Sequence, residues 1–184
     1  MLAEIRQLTN KDALAYHELR LRGLREHPEA FTSSFEEESR KPLVWAEKRL
    51  AHSAEAPYNF VLGALSDVRL VGIAGVSVEP RAKIRHKGTV FGMYVAPEYA
   101  GRGVGQRLLS ACIQRARGIP GLEQLQLTVT DSNARAKTLY EKAGFRAFGL
   151  EQDALKVGEQ YFDKCHMTLD LRAVDAGYVG AAPG

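Results

Sequence analysis

The chain has 184 residues, 45% of them hydrophobic and 26% charged, with a formal net charge of +3 at pH 7. A chain of this length can bury a sizeable core as one domain, and the composition is that of an ordinary soluble globular protein. It excludes three classes: a membrane protein, because no apolar run approaches about 20 residues; a disulfide scaffold, because Cys112 and Cys165 are the two cysteines; and a charge-driven nucleic-acid binder, because the net charge is small.

The first residues alternate polar with apolar instead of forming a signal peptide, so a cytoplasmic protein with buried thiols is expected. Residues 3–8 read as a first strand, and Thr9 with Asp12 resembles a capping box that opens a helix to about Glu26. Leu14, His17, Leu21 and Leu24 share one face of that helix by spacing, with His17 expected as a packed core histidine. His27-Pro28 breaks the helix. A polar connection over residues 30–41 follows, carrying the run Glu36-Glu37-Glu38, which reads as a solvated helix start capped by Ser33 or Ser34. A second short helix spans residues 43–52 around the single tryptophan, Trp45.

Residues 58–65 and 68–79 form two strands of a tight hairpin at Ser66-Asp67, with Gly72 and Gly75 marking a bulge or a close backbone approach. Arg81, Lys83, Arg85, His86 and Lys87 then form a basic, solvated turn. In the next strand, strict alternation would put Thr89, Phe91, Met93 and Val95 on one face and Val90, Gly92 and Tyr94 on the other. A helix with Val104, Leu108, Cys112 and Ala116 as its core stripe ends at Gly118-Ile119-Pro120-Gly121, and Leu125, Leu127 and Val129 line the next strand. Asp131-Ser132-Asn133 caps a helix to Ala143, Gly144 suits its left-handed end, and strands over residues 145–151 and 161–171 flank a polar connection. The last residues, 173–184, are small and turn-rich and are expected to be a flexible tail.

The stretch most informative about chemistry is TVFGMYVAPEYAGRGVGQ, residues 89–106. A strand, a turn with Gly101, Gly103 and Gly105, and a helix start follow one another directly. The first N–H groups of a helix have no intrahelical partner and sit at the positive end of its dipole, so such a turn can hold a phosphate. Glycine lets the anion approach the backbone, and Arg102 adds a positive charge. Neither nucleotide fingerprint fits: counting from Gly101 puts Gln106 where a dinucleotide motif needs glycine, and Gln106-Arg107 stands where a Walker loop needs Lys-Ser/Thr.

Val95-Ala96-Pro97 and Gly103-Val104-Gly105 do resemble the pyrophosphate-binding motif of the GNAT superfamily of acetyl-CoA-dependent N-acetyltransferases, with Ala100 in place of the polar residue that usually opens it. Residues 133–145, NARAKTLYEKAGF, resemble a second motif of the same superfamily. The resemblance implies an α/β (α+β) GNAT acyltransferase fold over residues 1–172, with a mixed, mostly antiparallel central sheet of about seven strands flanked by about four helices. It implies acetyl-CoA as co-substrate, no metal, a small-molecule or peptide amine as acceptor, and a possible homodimer, with no nucleic-acid or membrane partner.

By the same resemblance the pantetheine arm pairs with the backbone of Met93, Tyr94 and Val95, and the pyrophosphate rests on Gly101, Arg102, Gly103, Val104, Gly105 and Gln106. Asn133 would hydrogen-bond the arm, Lys142 would approach the adenosine phosphates, and Tyr140 stands where the family's tyrosine protonates the departing sulfur. A lysine-like ammonium must first lose a proton, at a cost of about 4.6 kcal/mol at pH 7. Thr89 occupies the position where one branch of the superfamily carries a glutamate base, which leaves Glu79, Glu36, Glu37, Glu38 or a water relay for that task. A non-catalytic acyl-CoA sensor is the main rival. A dinucleotide oxidoreductase is a weaker one, since Thr130 rather than an acid closes the strand after the glycine turn.

Overall fold

A computed structural model describes residues 3–51 and 57–172. Among them the chain forms, in order, β1 (Glu4–Gln7), α1 (Ala13–Glu26), α2 (Phe35–Ser39), α3 (Leu43–Leu50), β2 (Phe60–Ser66), β3 (Arg69–Val78), β4 (Lys87–Val95), α4 (Val104–Arg117), β5 (Gln124–Thr130), α5 (Ala134–Lys142), β6 (Arg146–Val157) and β7 (Gln160–Asp170). The seven strands make one sheet in the order β1-β2-β3-β4-β5-β7-β6. Every neighbouring pair is antiparallel except β4 and β5. The expected mixed sheet is therefore present, with five helices where about four were expected. The expected tail, residues 173–184, and His52 at the end of the second expected helix lie outside the described residues.

The sheet is covered on both faces, and each face has its own core. On one side α4 buries Val104, Leu108, Cys112 and Ala116, the stripe read from the sequence, against Val71, Val76, Val90, Leu125 and Met167. On the other, Tyr16 and Leu19 of α1 and Ala46 and Leu50 of α3 pack on Val61, Ile73 and Tyr94. Helix α1 departs from its expected face: Leu24 is buried as expected, but Leu14 is 58% exposed, and Ala13, Tyr16, Leu19, Arg20 and Gly23 are buried as well. A 3-10 turn over Asn10–Asp12 precedes the helix, and Thr9 and Asp12 form the expected capping box. His17 sits edge-on to Trp45, 6.4 Å between ring centres.

Two further departures shape the molecule. Ile73 pairs with Tyr94 and Gly75 with Phe91, so Ala74 of β3 faces two residues, Gly92 and Met93, of β4. This bulge, with Gly92 at φ +63°, breaks the strict alternation expected for the strand. Val90, Met93 and Val95 thus pack toward α4, and Phe91 and Tyr94 toward α1 and α3. Gly75 makes room for this, since a Cβ there would stand 2.3 Å from the Phe91 ring. The connection expected at residues 152–160 is instead a continuation of the β6–β7 hairpin, turning at Gly158 after a second register shift.

Candidate functional site

Strands β4 and β5 run side by side only from Lys87↔Gln124 to Thr89↔Gln126. Beyond that they separate, and the backbone of residues 90–95 on that edge is not paired with β5. The gap opens on two cavities, of about 430 and 360 Å³, that share Phe31, Met93, Asn133 and Tyr140 in their walls.

The larger cavity draws most of its lining from the strand end, glycine turn and helix start of residues 93–106. Of the residues expected to bind cofactor, Met93, Tyr94, Val95, Gly101, Gly103, Val104, Gly105, Gln106, Asn133 and Tyr140 all line it, as does Ala100. Gly101 and Gly103 hold φ of +76° and +75°, and nothing lies within 4 Å of where a Cβ would stand on either. The first bond of α4 runs from the Arg107 N–H to the Gly103 carbonyl, 3.0 Å. The N–H groups of Val104, Gly105 and Gln106 thus precede the helical ladder and can donate to an anion. An open cradle over left-handed glycines, followed by free helix-start donors, fits a pyrophosphate. The loss of a polar side chain at Ala100 leaves those backbone donors in place.

Two expected contacts fall outside this cavity. Arg102 is exposed and lies over the Tyr99 ring, 5.4 Å from guanidinium carbon to ring centre. Lys142 lines a separate depression between α4 and α5, which adjoins the cavity through Gln106, Arg135 and Leu139. Arg135, at the start of α5, is a cation the sequence reading did not single out. Asn133 caps α5 by accepting from the Ala136 N–H at 3.0 Å, so any ligand must share that side chain with the cap.

Tyr140 stands where the two cavities meet. Its side chain packs edge-on to Phe145 with ring centres 6.0 Å apart, and its hydroxyl faces the Met93 sulfur at 3.6 Å. Burial pushes the phenol up to about 12, so it carries its proton throughout the neutral range and can donate it.

The smaller cavity is built from side chains: Arg20, Phe31, Arg49, Thr89, Phe91, Thr130 and Lys164 among others. The segment before α2 closes one end of it. Thr130 donates its hydroxyl to the Glu29 carbonyl at 2.6 Å, and the Lys164 ammonium donates to the Ala30 carbonyl at 3.2 Å. Arg20 is held from behind, its Nε and Nη2 each donating to Glu38 at 2.6 Å. Burial would push the Glu38 carboxyl up, but the Arg20 guanidinium holds it below the usual range.

None of the four expected base candidates lines either cavity. Glu38 is only 1% exposed and committed to Arg20. Glu37 completes the capping box with Ser34, which caps α2 as expected, and Glu36 is exposed on the same turn. Glu79 lies in a different surface depression beside Pro80 and Arg85. The reason is topological: the acidic run caps a short helix with its outer side, and β3 ends at the opposite end of the sheet from the gap. Among the described residues, no group of three or more His, Cys, Asp or Glu is placed to hold a metal, and no helix is long and apolar enough to cross a membrane.

Comparison with known proteins agrees with this geometry. A relative named N-alpha-acetyltransferase RimI, from Mycobacterium tuberculosis, is 35% identical over 113 residues, 61% of this chain and 68% of the relative. The L-amino acid N-acetyltransferase AaaT of Escherichia coli is 28% identical over 148 residues, 80% of this chain and 88% of the relative. A GNAT superfamily phosphinothricin acetyltransferase from Sinorhizobium meliloti, solved in complex with acetyl-CoA, superposes with a TM-score of 0.76 over 92% of this chain and 89% of its own, at 20% identity, a likeness of fold. The sequence profile of the acetyltransferase (GNAT) family matches residues 21–145, and the chain, an acyltransferase, therefore belongs to that family.

Proposed function

We propose that the protein moves the acetyl group of acetyl-CoA directly to a primary amine, with the larger cavity as the cofactor site and the smaller one as the acceptor site. The observation that carries the reading is that, among the described residues, Tyr140 alone of the buried phenols lines both cavities, at the point where β4 and β5 part. Acetyl-CoA supplies the acyl group and leaves as the thiol. The backbone of residues 93–95 is the edge along which an extended arm can pair, and the helix-start donors of Val104, Gly105 and Gln106 take the pyrophosphate. Gln106, Arg135 and Lys142 face the phosphates at the far end. Tyr140 donates its proton to the departing sulfur, a transfer its raised pKa permits at neutral pH. With no carboxylate in the acceptor wall among the described residues, the amine loses its proton to water held by the hydroxyls of Thr89, Thr128 or Thr130.

The names of the relatives, which include an L-amino acid N-acetyltransferase and an N-alpha-acetyltransferase, support an amine acceptor. The test is release of CoA from acetyl-CoA over a panel of amines against a blank without acceptor. Release well above the blank is expected for at least one class. Binding of acetyl-CoA with no release for any amine would favour an acyl-CoA sensor instead.

A further inference from the structure

Among the described residues the wall of the acceptor cavity holds three cationic side chains and no carboxylate. Its titratable side chains among those residues are Arg20, Arg49, Lys164 and Tyr140, and no aspartate or glutamate of those residues lines it. Of the three cations only Arg20 is matched by a carboxylate among the described residues. Lys164 is 5% exposed, an unusual setting for an ammonium, and one carbonyl, that of Ala30, is its hydrogen-bond acceptor. Glu151 and Glu29 act on it electrostatically, but Glu151 is turned to His166 at 2.9 Å and neither lines the cavity. Arg49 lies on the Phe91 ring, 4.6 Å to its centre, with Trp45 on another side at 5.3 Å. These contacts orient a guanidinium without neutralising it.

We infer that the acceptor is an amine that bears its own anion, an α-amino carboxylate above all, whose carboxylate is held by Lys164 and Arg49 while its amino group faces Tyr140. The inference rests on the acetyl-transfer reading above and names its substrate class. A buried ammonium with donors to spare is costly unless something negative completes it. The free acid does so; an amide, a peptide N-terminus without a nearby acid, or a polyamine does not. The same cations favour the uncharged form of an incoming amine by like-charge repulsion, and this form is the nucleophile. That eases the lack of a carboxylate base. Attack of the amine nitrogen on the acetyl carbon forms the amide bond, the carbon–sulfur bond breaks, and the amine proton leaves to water as the thiolate takes the Tyr140 proton.

The experiment is CoA release with L-α-amino acids, each beside its own α-carboxamide, together with spermidine and a short peptide beginning in alanine. For the preferred side chain, kcat/KM for the acid should exceed that for the carboxamide by about 100-fold. Lys164→Met should cut that preference to about threefold or less with the KM for acetyl-CoA unchanged. Because Lys164 is buried, the exposed Arg49→Gln serves as a second variant that folds normally; it should raise the KM of the acid about tenfold and leave that of the carboxamide alone. Equal or better use of carboxamide, peptide or spermidine overturns the inference while leaving acetyl transfer standing, as does a preference unchanged in both variants. Acetyl-CoA binding with no release for any amine removes the acetyl-transfer reading and this inference with it.

Discussion

The cavity over the glycine turn draws most of its wall from residues 93–106, whereas its neighbour gathers Arg20, Phe31, Arg49, Thr130 and Lys164 from five separate parts of the chain. The first offers backbone groups, whose availability follows from local conformation: a strand edge, left-handed glycines and a helix start. The second offers side-chain charge, whose effect depends on which partners the packing supplies or withholds. A wall of the first kind tolerates substitution along the strand and depends on a few conformations. A wall of the second kind depends on individual side chains and can be redirected by exchanging them.

The variant expected to do most damage strikes the support of the second wall. Arg20→Met leaves Glu38 buried without its partner and should cost about 3–5 kcal/mol of stability in urea unfolding, with most of it recovered in the Arg20→Met/Glu38→Leu pair. The sign with pH is set by Glu38. Its pKa is held below the ordinary value of 4.5, so the stabilisation is complete above that value and is lost as the pH falls beneath it. The double variant should lose this acid dependence. A similar acid sensitivity in the double variant would place its origin elsewhere.

Tyr140→Phe acts where the two walls meet. A fall in kcat of about 100-fold is expected, with acetyl-CoA affinity by calorimetry within about twofold of the parent. An unchanged kcat would take the phenol out of the reaction. Gly103→Ala tests whether the first wall depends on conformation. A φ of +75° costs a residue with a Cβ about 1 kcal/mol, so CoA should bind about five- to tenfold more weakly, with the KM of the acceptor unmoved. The smallest effect belongs to Arg102→Gln, which removes an exposed charge from a residue that does not line the cavity. CoA binding should weaken by about threefold at most, and the loss should vanish in high salt. A large, salt-independent loss would mean that Arg102 swings onto the phosphates.

Much of the first wall was legible because its signals are contiguous. Pro97 ends a strand, Gly101 and Gly103 permit positive φ, and Val104, Leu108, Cys112 and Ala116 announce the buried face of the helix that starts there. Tyr140 and Asn133 were legible through a second motif of the same kind. What was misread has a common cause. The face of α1 was taken from the spacing of Leu14, His17, Leu21 and Leu24, but the side that is buried runs through Ala13, Tyr16, Leu19, Arg20 and Gly23, with only Leu24 common to both. The alternation of β4 was taken as unbroken, but Gly92 hosts a bulge. The acidic run at Glu36, Glu37 and Glu38 was taken as a solvated helix start, but Glu38 turned inward to pair with Arg20.

The sequence by itself determined most of the order of elements and the backbone anion cradle, because hydrophobic period, glycine conformation and helix capping are local and act within a few residues. Only the tertiary structure decided where β4 and β5 part, that Tyr140 stands between two cavities, and that Lys164 and Arg49 face the acceptor side with no carboxylate of the described residues in its wall. Charge complementarity is a property of neighbours, and Arg20, Arg49 and Lys164 become neighbours only when α1, α3 and β7 close around the same gap.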